Sequence, residues 1–285
     1  MRFYLPHLFL LSTHLWNRDQ ITFLSLNRFE RKKNTVLAIN AFGALPNAKS
    51  GEMRLVLAGG YDPRVADNVE CLATLLGRCV DLGLTYKVVS PRALPQIPTP
   101  AISNFDNKND VNGTSASTDT MSPHVLFILN FTHVQRTHLL TASTTRVLLY
   151  TPQNEHFGIG PVEAMVCGVP VIACNSGGPV ESIIDPGKGE QAEAIRTGYL
   201  LPPVVARWTE ALLSVLALSL AEREKISAAA QARVEEIFSL ESMTKGIEGA
   251  LEQAARMEDV EAEAGVNVVL VVLGLGAGLW LSKVV

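Results

Sequence analysis

The chain has 285 residues, 47% apolar and 18% charged, an ordinary globular composition that suits one large domain or two modest ones. Its formal net charge of −4 excludes a general nucleic-acid binder, which carries a basic face. Four cysteines, Cys71, Cys79, Cys167 and Cys174, form no CxxC pair and no cluster with histidine, so they read as small buried residues of a reducing compartment rather than metal ligands.

Residues 1–20 make an apolar N-terminal segment, whose core FYLPHLFLLSTHLW (3–16) is short and interrupted by Pro6. A signal-like segment, an interfacial segment and the remnant of a truncated upstream region all fit it. ITFLSL (21–26) is the first strand candidate. The basic loop NRFERKKN follows, then a helical period through Val36, Leu37, Ile39, Ala41 and Leu45. MRLVLA (53–58) is a second buried strand, stopped by Gly59-Gly60-Tyr61-Asp62-Pro63. Residues 64–82 return to helical spacing through Val65, Val69, Leu72, Leu75, Leu76 and Cys79.

Residues 86–90 are a brief strand candidate. Residues 91–123 then lose all periodicity and fill with Pro, Ser, Thr, Asn and Asp, which reads as a flexible insertion. VLFILNF (125–131) is a buried strand, a short helix covers 134–141, and RVLLYT (146–151) is the next strand. VPVIAC (169–174) is another, and a Gly-rich charged loop (185–197) ends at Gly198-Tyr199-Leu200-Leu201. Helical segments complete the domain at 208–220, 222–238 and 240–257. Apolar strands alternating with helices specify an α/β fold: a Rossmann-like parallel sheet of about six strands, covered on both faces, over residues 21–258.

The C-terminal stretch differs. AGVNVVLVVLGLGAGLWLS (264–282) is 19 residues without a charge. As a helix it spans roughly 28 Å, close to the ~30 Å hydrocarbon thickness of a bilayer. Trp280 and Lys283 stand where interfacial anchors belong, and Gly274 with Gly278 forms a small-xxx-small pair. Residues 264–283 are therefore expected to form a transmembrane C-terminal hydrophobic helix; a buried C-terminal helix is the other reading, though its four glycines suit a soluble helix poorly.

The chemistry concentrates in NEHFGIGPVEAMVCGVPVIACNSGGPVE (154–181). Glu155 and Glu163, separated by seven residues, flank a glycine turn, and Pro161 suits a first helical position. Free N–H groups at that helix start favour an anion such as a phosphate. Glu163, expected in the first turn, would accept from ribose hydroxyls. Arg28 and Lys33 supply two cations for a diphosphate, and fixed charges of this kind are usually the largest catalytic term. In parallel sheets ligands sit beyond the carboxyl ends of the strands. Arg28, Lys33, Gly59-Gly60, Glu155 to Gly160 and Ser176 to Gly178 all follow strand ends, so they are expected on one rim, with Arg28 and Lys33 facing Glu155 and Glu163.

These stretches resemble a known family. NEHFGIGPVEAM with GVPVIACNSGGPVES is similar to the E-x7-E signature of retaining GT-B glycosyltransferases of the family-4 type. SLNRFERKKN, AGGYDPRVADNVE and LLYTPQNEHFGIGPVEAM narrow the resemblance to the α-1,3/1,6-mannosyltransferases of dolichol-linked oligosaccharide assembly. It implies the C-terminal, donor-binding domain of a GT-B enzyme, with GDP-mannose as donor, a dolichol-linked oligosaccharide as acceptor, and no metal or other cofactor. Arg28 and Lys33 become the diphosphate pair, and Glu155 the group touching mannose. Phe157, Gly158 and Ile159 line the sugar-phosphate, Glu163 binds ribose, and Gly59, Gly60, Gly177 and Gly178 complete the donor site. Gly160 departs from the family's usual Val or Leu.

The acceptor-binding half of such enzymes has no counterpart in this sequence. A partner chain supplying it and a catalytically inactive, membrane-anchored nucleotide-sugar-binding subunit are both readings of that difference. The resemblance implies the endoplasmic reticulum membrane, with the domain facing the cytosol. Two sequons occur, at Asn112 and Asn130. Asn130 ends a buried strand and reads as structural, whereas Asn112 lies in the insertion and goes unused on the cytosolic side.

Overall fold

The computed structural model describes residues 20–90, 122–186 and 195–256. The N-terminal apolar segment before Gln20, nearly all of the insertion and the expected transmembrane helix lie outside the described residues. Among the described residues, no helix is long and apolar enough to cross a membrane. The chain divides into two compact units, Met1–Glu236 and Ile237–Val285.

The first unit is built on a parallel sheet. Its strands are β1 (Ile21–Leu26), β2 (Met53–Gly59), β3 (Tyr86–Val89), β4 (Val125–Leu129), β5 (Thr145–Tyr150), β6 (Val171–Cys174) and β7 (Gly198–Leu201). Their order is β3-β4-β2-β1-β5-β6-β7, and every neighbouring pair is parallel. Among the described residues the sheet has seven strands, where about six were expected. The extra one is the GYLL stretch, read from sequence only as a loop end. It pairs Gly198 with Val171 at an approach so close that a Cβ there would lie 2.7 Å from the Val171 carbonyl oxygen.

The connecting helices are α1 (Val36–Gly43), α2 (Ala66–Asp81), α3 (His133–Thr141), α4 (Ile159–Val166), α5 (Pro179–Ser182), α6 (Val205–Ala217) and α7 (Leu220–Phe238), with α8 (Leu240–Arg256) in the second unit. Alternation along the strands sends Phe23, Leu55, Leu57, Phe127, Val147, Leu149 and Ile172 into one core cluster with α1, α2 and α6, including the buried Trp208. The residues between them, such as Leu24, Val56, Leu126, Leu148 and Val171, are also fully buried, so both faces of the sheet are covered. Among the described residues one arginine is buried in this frame. Arg54, in register with Thr22, donates from Nε to the Thr22 hydroxyl at 2.9 Å, and burial lowers its pKa to about 10.

Burial also raises the thiols of Cys71 and Cys174 to about 11 and that of Cys79 to about 12, so these free cysteines are inert neutral groups at physiological pH.

The sheet order fixes where a ligand belongs. The chain leaves β1 toward β2 and returns to the other side of β1 only at β5, so the crossovers reverse between β1 and β5. Clefts at such reversal points, beyond the carboxyl ends of the strands, hold the ligands of open α/β sheets.

Asn130 shapes this rim from the β4 end. It sits at φ 56°, in the left-handed region, and its N–H donates to the Gly59 carbonyl at 2.8 Å. Its side chain both accepts from the Tyr61 N–H and donates to the Tyr61 carbonyl, each at 2.8 Å. The sequon is thus spent on structure, as its strand-end position suggested, and its third residue, Thr132, caps α3. Asn130→Ala removes two bonds and leaves alanine in a left-handed conformation, a combined cost of about 2–4 kcal/mol. A lower denaturant midpoint at unchanged m-value would show it; an unchanged midpoint would remove Asn130 from the turn's support.

Candidate functional site

Two ion pairs define the rim. A short 3-10 turn, Arg31–Lys33, follows β1 and ends at Asn34, whose φ of 49° is left-handed. The buried Thr151 hydroxyl donates to the Lys33 carbonyl at 2.7 Å, pinning this turn to the end of β5. Lys33 Nζ then meets Glu155 Oε2 at 2.5 Å, the two side chains being 14% and 29% exposed. A cation after β1 and an acid after β5 therefore close directly over the reversal point.

The Glu155 loop is held from both sides. Asn154 and Gly158 bracket it with φ values of 53° and 81°. Backbone strain of this kind gathers at functional sites, where the surroundings over-determine the conformation. Tyr150, buried at the end of β5, lies directly beneath: a Cβ on Gly158 would stand 3.0 Å from its hydroxyl. Burial first, then the Glu155 carboxylate and its hydrogen bond, push the Tyr150 phenol above its ordinary range. From the other side Ser176 Oγ accepts from the Asn154 N–H at 3.0 Å, and the Gly178 N–H donates to the Glu155 carbonyl at 2.8 Å. Gly177 and Gly178 lie so close that a Cβ on either would collide with the backbone carbonyl of Glu155 or Phe157.

The second pair is Arg136 Nη1 with Glu163 Oε1, at 2.5 Å. Arg136 lies on the first turn of α3 and Glu163 is the fifth residue of α4. Among the described residues, no group of three or more His, Cys, Asp or Glu is placed to hold a metal ion.

The comparisons with known proteins agree on one family. The model of the glycosyl transferases group 1 family matches residues 114–233. The α-1,3/1,6-mannosyltransferase of Rhizomucor pusillus is 41% identical over 202 residues, covering 68% of this chain and 37% of that protein. The chain belongs to the α-1,3/1,6-mannosyltransferase family. It spans at most about half the length of the curated relatives it matches. Two solved structures share the fold. Sucrose-phosphate synthase from Thermosynechococcus elongatus superposes with TM-score 0.58 at 21% identity, covering 84% of this chain and 46% of that one. The C-terminal domain of a group 1 glycosyl transferase from Francisella tularensis gives 0.50 at 17% identity, covering 79% and 94%.

Within this mannosyltransferase-family chain, the expected site residues fall out unevenly. Lys33 and Glu155 meet. Arg28 does not face the acids: its side chain is 75% exposed and its nearest carboxylate is Glu30, 3.7 Å away. Glu163 does not face Lys33 either, because Arg136 occupies it. Pro161 is the third helical residue, not the first, and Glu163 therefore lies beyond the first turn. The reason is Gly158, whose left-handed conformation caps the helix early and turns Ile159 and Gly160 helical. Gly160 is an ordinary helical residue, the second of α4, with the Tyr150 ring 3.4 Å from where a Cβ would be.

Phe157 and Ile159 are exposed on the rim. Gly59 is needed for the crossing of the β1 and β2 exits, where a Cβ would strike the Asn27 carbonyl, whereas Gly60 has room beside the Arg28 stem. The sequence reading missed Tyr150, Thr151 and Arg136. The Thr132-x-x-Gln135 capping box was a visible signal for the turn that carries Arg136.

Proposed function

We propose that this chain carries the donor site for retaining mannosyl transfer from GDP-mannose to a dolichol-diphosphate-linked oligosaccharide in N-glycan precursor assembly. The observation that carries the reading is the Lys33–Glu155 pair, closed over the reversal point beside the start of α4. Family membership supports the choice of donor and acceptor.

In this reading Lys33 and the exposed Arg28 receive the diphosphate, and the open N–H groups at the start of α4 add their partial positive charge. Together they offset the negative charge that grows on the diphosphate as the glycosyl bond breaks, so the reaction is assigned no metal. Phe157 and Ile159 shape the sugar-phosphate edge, and Glu155 meets the mannose. Diphosphate binding must draw Lys33 away from Glu155, which frees the carboxylate at the moment the sugar arrives. The acceptor side belongs to a further domain or partner chain, and the protein works at the cytosolic face of the endoplasmic reticulum membrane.

Calorimetry of the chain with GDP-mannose tests the donor site. Lys33→Met is expected to weaken binding on the order of tenfold or more, because a charge-assisted phosphate contact is lost. Arg28→Ala is expected to do so less. Unchanged affinity in both variants would remove the basic loop from the site.

A further inference from the structure

Arg136 is the unassigned group at this rim, and its placement is unfavourable by local rules. It is the fourth residue of α3, and a cation near a helix N-terminus opposes the macrodipole. The turn that carries it is nevertheless fixed: Thr132 Oγ1 accepts from the Gln135 N–H at 3.3 Å, and Gln135 Oε1 accepts from the Thr132 N–H at 2.8 Å. Its guanidinium is held at two points. Nη1 donates to Glu163 Oε1, and Nη2 lies 2.9 Å from His133 Nδ1. A guanidinium can only donate, so His133 Nδ1 accepts and the ring proton sits on Nε2.

An ion pair whose side chains are 30% and 26% exposed gains little net stability, because desolvation offsets much of the attraction, so holding the helices together is a weak reason for this arrangement. What the arrangement does fix is the rotamer of Glu163. A planar fork anchored at both ends leaves one carboxylate oxygen committed and aims the other.

We propose that Arg136 is a positioning residue for nucleotide recognition: clamped between His133 and Glu163, it holds Oε1 of Glu163 so that Oε2 meets the ribose hydroxyls of the donor. This rests on the donor-site reading above. A carboxylate that must freeze on binding loses rotamer freedom then, whereas one already fixed does not. Arg136 therefore acts on the ribose-dependent part of affinity and leaves the diphosphate part to Lys33 and Arg28.

The test measures binding of GDP and of 2′,3′-dideoxy-GDP to the whole chain by calorimetry. In the wild type the ribose hydroxyls are expected to be worth about tenfold in affinity. In Arg136→Met that ratio is expected to fall to about threefold or less, with dideoxy binding nearly unchanged, and Arg136→Lys should recover part of it. An Arg136→Met protein that keeps the full wild-type ratio overturns the inference while the donor reading stands. Should that variant fail to fold, Arg136→Lys carries the test, and a ratio equal to wild type again overturns the inference. A wild-type chain that binds neither nucleotide overturns the donor reading, and this inference with it.

Discussion

Glu155→Gln is expected to lower transfer by about a hundredfold to a thousandfold while GDP binding holds or tightens. The two effects have one cause. Glu155 is paired with Lys33, and both side chains are largely shielded from solvent. Glutamine keeps the shape of the loop but removes the charge that now neutralises Lys33. The ammonium then has no competing anion, and an incoming diphosphate gains its full attraction.

Transfer, in contrast, loses the acid that the donor-site proposal sets beside the sugar. Removing a single electrostatic group of this kind typically costs about 3–4 kcal/mol of transition-state stabilisation. Single-turnover transfer with the acceptor half supplied, together with GDP calorimetry, reads both effects. Transfer within tenfold of wild type would take Glu155 out of the chemistry. Lost GDP binding would instead mean that Glu155 only supports the loop.

Much of this frame was legible because a parallel sheet covered on both faces demands nearly unbroken apolar strands. ITFLSL, MRLVLA, VLFILN and RVLLYT announce β1, β2, β4 and β5 in that way. β7 was harder. It has four residues, starts on a glycine, and owes its existence to β6 beside it rather than to its own pattern.

The site was legible in its residue types but not in its pairings. Spacing places Lys33 and Glu155 after strand ends. That those strands are neighbours is a fact of sheet order, which the sequence does not display. Arg136 illustrates the limit best: it precedes Glu163 by 27 residues, and only the return of α3 into β5 brings them together. The expected wall of two cations against two acids became two separate pairs, Lys33–Glu155 and Arg136–Glu163.

Gly178→Ala and Gly160→Ala should have opposite consequences, although the residues stand only a few turns of chain apart in one motif. A Cβ on Gly178 would lie 2.1 Å from the Phe157 carbonyl oxygen, and the Gly178 N–H donates to the Glu155 carbonyl at 2.8 Å. An added methyl there collides with backbone, which cannot rotate aside, so the two glycine turns must separate. The expected cost is about 2–4 kcal/mol of stability, the range for overpacking against an unyielding neighbour.

Separation also shifts Glu155, since its backbone is what the Gly178 N–H grips. A misplacement of about 1 Å at a reacting group costs on the order of a hundredfold in rate. At Gly160 the nearest atom to a new methyl would be a Tyr150 ring carbon at 3.4 Å, an ordinary contact, and the residue is already helical. Alanine there should be neutral or add up to ~1 kcal/mol through helix propensity. Thermal unfolding and transfer assays on the two variants check the contrast. Equal tolerance at both positions would mean that the second glycine turn does not brace the Glu155 loop.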